Sequence, residues 1–438
     1  MTASRKALGP WMLTALVAGN MIGSGVFYLP TELASYGSIS IFSWIFTSIG
    51  ALLLALVFAK LSTIMPRIGG PYAYCREGFG EFVGFQMAYN YWIALWVGNA
   101  AIAVALSGYL GVFFPALNNS HLLSFGVSVS FVWILTLINC LNTRWAGMTQ
   151  LITTILKLIP LLLVGIVGLF FIHPSHLLND FNVSHQSNLF AFSSAATLTL
   201  WAFIGLESAT VPAESVDNPK KNIPRATING TLIAAFVYIA STVAIMGLIP
   251  MSQLAHSTAP FADAVNFIVG PIGKYIVAAG AAISCLGTLN GWILLQGQVP
   301  LAASRDNIFP ERFAKTSKRG IPVYGLVLTS ILITCLLFLT LDRGLIEQFK
   351  FITLLATLSS LIPYLFTTMA ELIIFKKYPQ EFNGERLLWS SVIAVLACIY
   401  SFWCIMGSGQ SIVFYGSLLF FTSVPVFVIM KRKNGVIA

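Results

Sequence analysis

Two stretches decide how this chain folds: Gly19-Asn20-Met21-Ile22-Gly23-Ser24-Gly25-Val26-Phe27, followed by Pro30, and Trp201-Ala202-Phe203-Ile204-Gly205-Leu206-Glu207-Ser208, followed by Pro212. Each lies within a long apolar run and breaks the rule of that run. Glycine weakens a helix interior by about 1 kcal/mol relative to alanine. Asn20 and Glu207 add polar groups where the neighbours offer no water. Unwound backbone is tolerated at membrane depth only where it is buried in protein or lines a cavity. Interruptions at corresponding places in two halves of a chain are a sequence pointer to a transport site.

The surrounding composition sets that depth. Of 438 residues, 57% are hydrophobic and 9% charged, against about 25% charged in soluble domains. The 15 acidic and 24 basic residues cannot coat a water-facing surface. A spanning helix needs about 20 apolar residues, and the continuous runs here exclude the alternating strands of a membrane β-barrel. The chain is expected to be an all-α polytopic membrane protein of about twelve transmembrane helices. The spans read at 11–34, 41–63, 82–109, 122–141, 148–171, 191–212, 226–249, 272–298, 322–341, 350–374, 388–406 and 410–430. The first apolar run has no small-residue cleavage site and is read as a span, not a removed signal peptide. The longest polar connection, 300–322, is too short for a soluble domain; within it Ser304 to Phe313 mixes charge with aromatics and suits a short interfacial helix. Trp11, Trp44, Trp145 and Trp389 lie near span ends, where indoles anchor at the headgroups.

Charge gives the orientation. The net charge of +9 is scattered over short loops, with no basic run to hold nucleic acid. With the N-terminus inside, 20 of the 24 Lys and Arg fall on the cytoplasmic side, and only Lys274, Arg343 and Lys350 fall outside. Both termini are therefore expected in the cytoplasm. The six cysteines form no CxxC pair, and the five histidines sit in loops, so neither a disulfide framework nor a metal site is expected, and no cofactor. No HExxH motif serves an intramembrane enzyme, and Gly270-Pro271-Ile272-Gly273-Lys274 lacks phosphate-loop spacing. The chain is read as a transporter and not an enzyme, and no rings of carbonyls or charges suggest a selective channel.

The breaks suggest a chemistry. Unwinding at Gly23-Ser24-Gly25 would leave the next half-helix with free N–H groups and a positive dipole end, a cradle for a carboxylate. Unwinding over Ala202 to Ile204 would free carbonyls that suit an ammonium, so a zwitterionic amino acid matches both. Gly19-x-x-x-Gly23 is also a close helix-packing motif, the lesser reading once the second break is counted. Two ionisable side chains lie deep in the apolar core, Glu207 and Lys157, each at a cost of about 2.5–3.5 kcal/mol. Glu207 stands one turn beyond a break; shielding from water favours the protonated carboxyl, which suits a proton carrier, with a structural cap as the lesser reading. Lys157 is too deep to snorkel easily; it suits a substitute for a bound cation, a proton carrier or a structural lysine. Trp201 and Trp292 sit beside the interruptions. An indole face holds a cation by about 0.5–2 kcal/mol or closes over any substrate, and core packing explains either ring as well. Tyr91 and Asn99, two turns apart on the third span, fit the same cavity.

At this level the residues resemble the amino acid–polyamine–organocation superfamily. The resemblance is carried by Asn20 to Phe27, by Gly69-Gly70-Pro71-Tyr72-Ala73-Tyr74, by Trp201 to Ser208 and by Glu214-Ser215-Val216-Asp217-Asn218-Pro219-Lys220-Lys221-Asn222-Ile223-Pro224-Arg225. It is nearest the basic amino acid/polyamine antiporter branch, which includes the arginine/agmatine antiporter. The resemblance implies one transporter domain over 1–438 with the leucine-transporter fold: inverted five-helix repeats over 11–171 and 191–374, further helices over 388–430, and alternating access. It implies Asn20, Ile22, Gly23, Ser24, Gly25, Asn99, Trp201, Ile204 and Trp292 as substrate contacts. Trp292 and Trp201 become gating residues, with Tyr91 as outer and Tyr72 as inner gate aromatic, and Glu207 the proton sensor.

Departures from the exchanger pattern are Leu95 for a small cysteine, Thr288 for a serine, Ala356 near a span 10 serine, and Lys157 at an apolar position. A lysine there resembles neutral amino acid permeases, and its charge disfavours a dicationic polyamine. The function implied is secondary amino acid transport in the inner (plasma) membrane, an exchange of a cationic amino acid for a related amino acid or amine. The alternative is a proton-coupled neutral amino acid permease. The expected partners are the small amino acid or amine, membrane lipid and protons, with a homodimer admitted and nucleic acid excluded.

Overall fold

The computed structural model describes residues 9–65, 70–141, 161–210, 216–382 and 387–433. The first apolar run is two helices, α1 (Pro10–Met21) and α2 (Ser24–Ala34). They are followed by α3 (Ile39–Ile64), a short α4 (Pro71–Phe79), α5 (Glu81–Leu110) and α6 (His121–Leu141). The second half holds α7 (Asn188–Leu200), α8 (Pro219–Leu248), a short α9 (Pro260–Val269) and α10 (Pro271–Arg305). The last helices are α11 (Val323–Leu339), α12 (Leu345–Lys377), α13 (Leu387–Gly407), α14 (Gln410–Phe421) and α15 (Ser423–Lys433). Proline begins α1, α4, α8, α9 and α10, because the first helical position has no use for an N–H and the ring presets φ.

Each of the twelve expected spans has a helical counterpart among the described residues. The fifth is described only from 161, where a π-turn (Leu163–Val167) passes into a 3-10 turn (Gly168–Phe171). Lys157 and Trp145 lie outside the described residues. Nine helical stretches among the described residues are long and apolar enough to cross a membrane, and three further apolar helices are shorter. The chain is thus an all-α, multi-pass integral membrane protein. A helix apolar on every side belongs in the interior, and α5 is buried along nearly all of its length. The last span is mostly exposed, presenting Phe414 and Phe421 outward.

Contacts between loops and helix ends assign two faces. At the face where α1 begins, here the N-face, Lys377 pairs with Glu77, Lys431 lies 2.5 Å from Glu81, and Arg319 donates to the Leu141 carbonyl at 2.8 Å. At the far face the Ser38 N–H reaches the Asp180 carbonyl at 2.9 Å, and the Thr31 hydroxyl reaches Ser257 O at 2.7 Å.

Two expectations about aromatics are corrected. Trp11 is exposed as an anchor should be, but Trp44 is fully buried, with Phe203 and Tyr238 at ring distances of 6.0 and 5.2 Å. It props the backbone behind the second break. The stretch from Ser304 forms no interfacial helix. α10 runs to Arg305, a single 3-10 turn covers Glu311–Ala314, and Phe309 and Phe313 are buried against Trp92 of α5 at 5.9 and 5.7 Å. Those rings gain more from burial beneath α5 than from the headgroup region.

Candidate functional site

The first break is narrow. The Ile22 N–H still reaches Ala18 O at 2.8 Å and the Gly23 N–H reaches Met21 O at 2.8 Å, after which the helix restarts at Ser24. The unwound residues are thus Ile22 and Gly23, slightly earlier than the expected Gly23-Ser24-Gly25. No side chain among the described residues caps α2. Its first turn, which has no intrahelical partners for its N–H groups, is the turn of Ser24 and Gly25.

The second break is longer. α7 ends at Leu200, a 3-10 turn covers Trp201–Phe203, Ile204 is extended, and another 3-10 turn covers Leu206–Thr210. Gly205 between them has φ +107, a conformation that side chains rarely adopt. A Cβ there would meet Asn20 at an ordinary 3.5 Å, so the demand for glycine is conformational. Some of the break's carbonyls already hold a donor: Tyr238 donates to Ala202 O at 2.8 Å, and the Ile204 N–H reaches Trp201 O at 3.2 Å.

The breaks meet around a cavity. Asn20, Gly23, Ser24 and Gly25 form one wall and Trp201, Ala202 and Ile204 the other, while Thr288 and Trp292 of α10 and Ile102 of α5 close it. The space is about 10 Å³, room for about one water and far below the roughly 300–1,000 Å³ of open ligand pockets. The site is closed, and the indoles close it. The rings of Trp201 and Trp292 stand 6.1 Å apart at 44°. Trp201 is wedged between two glycines: a Cβ on Gly25 would come within 2.8 Å of its Cδ1, and one on Gly98 within 2.8 Å of its Cη2.

Glu207 faces elsewhere. It is wholly buried; the Tyr91 hydroxyl donates to its Oε1 at 2.5 Å, the Tyr364 hydroxyl to its Oε2 at 2.5 Å, and the Gly205 N–H to Oε2 at 3.2 Å. The carboxyl group caps the broken helix and ties it to α5 and α12. Tyr91 lies two turns before Gly98, about 10 Å toward the N-face. The resemblance implies an outer gate; in the structure Tyr91 lies on the N-face side of the indoles, at Glu207. Tyr72 donates to Asp306 Oδ2 at 3.1 Å, joining α4 to the turn after α10 at the N-face.

The structure thus gathers Asn20, Gly23, Ser24, Gly25, Trp201, Ile204 and Trp292 around one space. It does not bring Ile22 or Asn99 to that lining. Ile22 is core. Asn99 donates to Gln296 Oε1 at 2.7 Å, and Gln296 donates to Ser330 Oγ at 3.3 Å, while Asn99 Oδ1 is buried without a partner among the described residues. Sequence reasoning missed Tyr364 and Gln296. Their signals were a proline–tyrosine pair inside a span, Pro363-Tyr364, and an amide one turn beyond Trp292. Among the described residues no cluster of three or more His, Cys, Asp or Glu could hold a metal ion.

Compared with known proteins, the family model for amino acid permeases matches residues 8–431. The chain is 37% identical over 414 residues to the cadaverine/lysine antiporter of Escherichia coli (strain K12), an alignment covering 93% of this chain and 91% of that protein. It is 35% identical over 440 residues to the putrescine transporter PotE of the same strain, covering 99% of each.

Proposed function

Because the chain belongs to the amino acid permease family of the amino acid–polyamine–organocation superfamily, we propose that it is an antiporter exchanging a cationic amino acid for a related amino acid or amine by alternating access. The observation that carries this reading is the meeting of two helix breaks around one closed cavity between two indoles. The names of its relatives, which include a lysine/diamine exchanger and a putrescine transporter, support the cationic class.

Each part of the site has a role in this reading. The N–H groups of Ser24 and Gly25, at the positive end of α2, receive the substrate carboxylate. The extended backbone at Ile204, with Asn20 opposite, receives the α-ammonium. Trp292 offers its face to a cationic side chain. Trp201, held against Gly25 and Gly98, is the lid on the far side; it must swing clear before a substrate larger than water can enter. Opening toward the N-face must separate Tyr91 and Tyr364 from Glu207, and Tyr72 from Asp306. Those hydrogen bonds form the inner gate, and Glu207 couples it to protons. The charge distribution supports an N-face in the cytoplasm, both termini there, and residence in the inner (plasma) membrane. The spacing of the breaks supports inverted repeats over 11–171 and 191–374, with 388–430 outside the repeats.

The test is counterflow in reconstituted vesicles. Vesicles preloaded with unlabelled lysine or cadaverine should accumulate labelled lysine, whereas empty vesicles should not. Equal uptake by loaded and empty vesicles would refute exchange. Lys157, by its charge, favours the second reading, a proton-coupled neutral amino acid permease. That reading requires empty vesicles to accumulate a neutral amino acid when a proton gradient is imposed.

A further inference from the structure

Gly25, Tyr28 and Glu32 follow one another at helical spacing on one face of α2. Gly25 rests on Trp201, so this face leads from the closed cavity toward the far face, and Glu32 lies about 10 Å beyond Gly25. Glu32 is 1% exposed, yet its carboxylate is poorly compensated. Its Oε2 is 3.9 Å from the Lys350 ammonium, and its Oε1 has no hydrogen-bond partner among the described residues. The Tyr28 hydroxyl is equally buried and without a partner among them, and its ring lies 4.5 Å from Phe349 of α12. Lys350 reaches in from the surface, with its side chain 32% exposed and its ammonium 4.9 Å over the Tyr36 ring. The other charges nearby, Glu347 and Arg343, pair with each other at 3.6 Å. Elsewhere on the far face Lys274 and Asp263 close to 2.9 Å, so the Glu32 pair is the longest of these three and the one whose carboxylate is buried. A buried carboxylate is costly unless a cation and donors compensate it. This one has a cation 3.9 Å away that Tyr36 also holds, an open acceptor and an idle phenol beside it.

We propose that Glu32 is a waiting site for the ammonium group of a substrate on the far-side route, and that Lys350 is the built-in cation that fills it between substrates. The inference rests on the reading of the chain as an exchanger of cationic amino acids and amines. An arriving primary ammonium takes Glu32 from Lys350, which withdraws along its exposed stem into water. The carboxylate stays compensated throughout, so the swap never leaves a bare buried charge. The ammonium also gains the open oxygen of Glu32, which the long contact from Lys350 leaves unfilled. A neutral amino acid has no side-chain ammonium to offer while its α-groups stay free for the cavity, so this position selects dibasic substrates before the central site does.

The test measures exchange of labelled lysine in vesicles carrying the protein in one orientation, with the KM taken separately from each face. Glu32→Gln should raise the far-face KM by about tenfold or more and leave the N-face KM within about twofold. Lys350→Met should lower the far-face KM, because the competitor is gone. Equal changes at both faces, or Lys350→Met raising the far-face KM as Glu32→Gln does, would overturn the waiting site in favour of a plain structural pair. Should Glu32→Gln fail to fold, Lys350→Met decides alone by the same sign. A wild-type protein that exchanges neither lysine nor cadaverine removes the antiporter reading and this inference with it. Wild-type exchange with an unaffected Glu32→Gln variant removes this inference only.

Discussion

Adding one methyl group at Gly25 asks whether Trp201 is the lid. A Cβ there would lie 2.8 Å from Trp201 Cδ1, 3.0 Å from its Nε1 and 3.6 Å from Ala202 Cα. The opposite edge of the indole fills the space that a side chain at Gly98 would need, with Cη2 2.8 Å from where a Cβ would stand, so a sideways slide presses it toward the α5 backbone. Overpacking of this kind costs about 1–3 kcal/mol. The cost falls on the closed state alone, because a swung-out Trp201 meets no methyl group. Binding that ends in closure should therefore weaken roughly five- to 150-fold in Gly25→Ala. Equilibrium binding of labelled lysine to purified protein measures this directly, and the substrate-induced rise in melting temperature should shrink in parallel. The control is the same methyl group beside a smaller lid: with Trp201→Leu already present, Gly25→Ala should cost less than about twofold. Gly25→Leu, which fills the cavity, should abolish exchange. A Gly25→Ala protein that binds as wild type does, or a loss that persists undiminished beside Leu at 201, would refute the lid.

Three further substitutions probe the other parts of the site. Glu207→Gln replaces an acceptor-only group by one acceptor and two donors, so Tyr91 or Tyr364 loses its acceptor; exchange should keep part of its binding but lose its pH dependence, and an unchanged pH profile would remove the proton role. Tyr364→Phe leaves Glu207 Oε2 with the Gly205 N–H at 3.2 Å as its remaining donor among the described residues and should cost about 1–3 kcal/mol, seen as a lower denaturation midpoint; undiminished stability would show that the carboxyl group is not a hub. Trp292→Leu should weaken cationic amino acids more than neutral ones in competition binding, whereas equal losses would make Trp292 a plain gate.

The fold was legible because membrane burial leaves few options for the backbone. Glycine pairs and an acidic side chain inside apolar runs marked both breaks, with Ile22–Gly23 and Ile204–Gly205 as the residues that unwind. Side-chain partnership was not legible in the same way. Tyr91 and Tyr364 reach Glu207 across 116 and 157 residues of sequence, and Asn99 meets Gln296 across 197. Nothing in the local pattern of any of these stretches announces the other partner. Asn99 was therefore read as a substrate contact when its donor already serves a neighbouring amide. Trp44 was misread for a related reason: nearness to a span end suggests the interface, but the face it occupies on α3 is turned to Phe203 and Tyr238. Lys157, whose charge bears most on substrate class, lies outside the described residues.

Both gates bear on α12. Toward the far face its Phe349 packs on Tyr28, and its Lys350 stands by Glu32. At mid-depth its Tyr364 holds Glu207 beside the second break. Toward the N-face its Thr367 and Pro363 carbonyl lie against the Cys75 thiol of α4, Glu371 lies 3.6 Å from Lys60 of α3, and Lys377 pairs with Glu77 of α4. Opening either face must therefore break polar contacts to the same helix, and the contacts differ in kind. On the far side one loose ion pair and one ring contact must yield, and the ion pair can be replaced by a substrate that brings its own ammonium. On the N-side several hydrogen bonds and ion pairs must separate together, and a substrate held at the two breaks touches none of them. The one group of this inner gate that adjoins a break is Glu207. Protonating it would weaken both phenol contacts at once, since a neutral carboxyl accepts more weakly than a carboxylate. Such a change would loosen the two contacts nearest the break, while the Tyr72–Asp306, Lys60–Glu371 and Lys377–Glu77 contacts would still have to part.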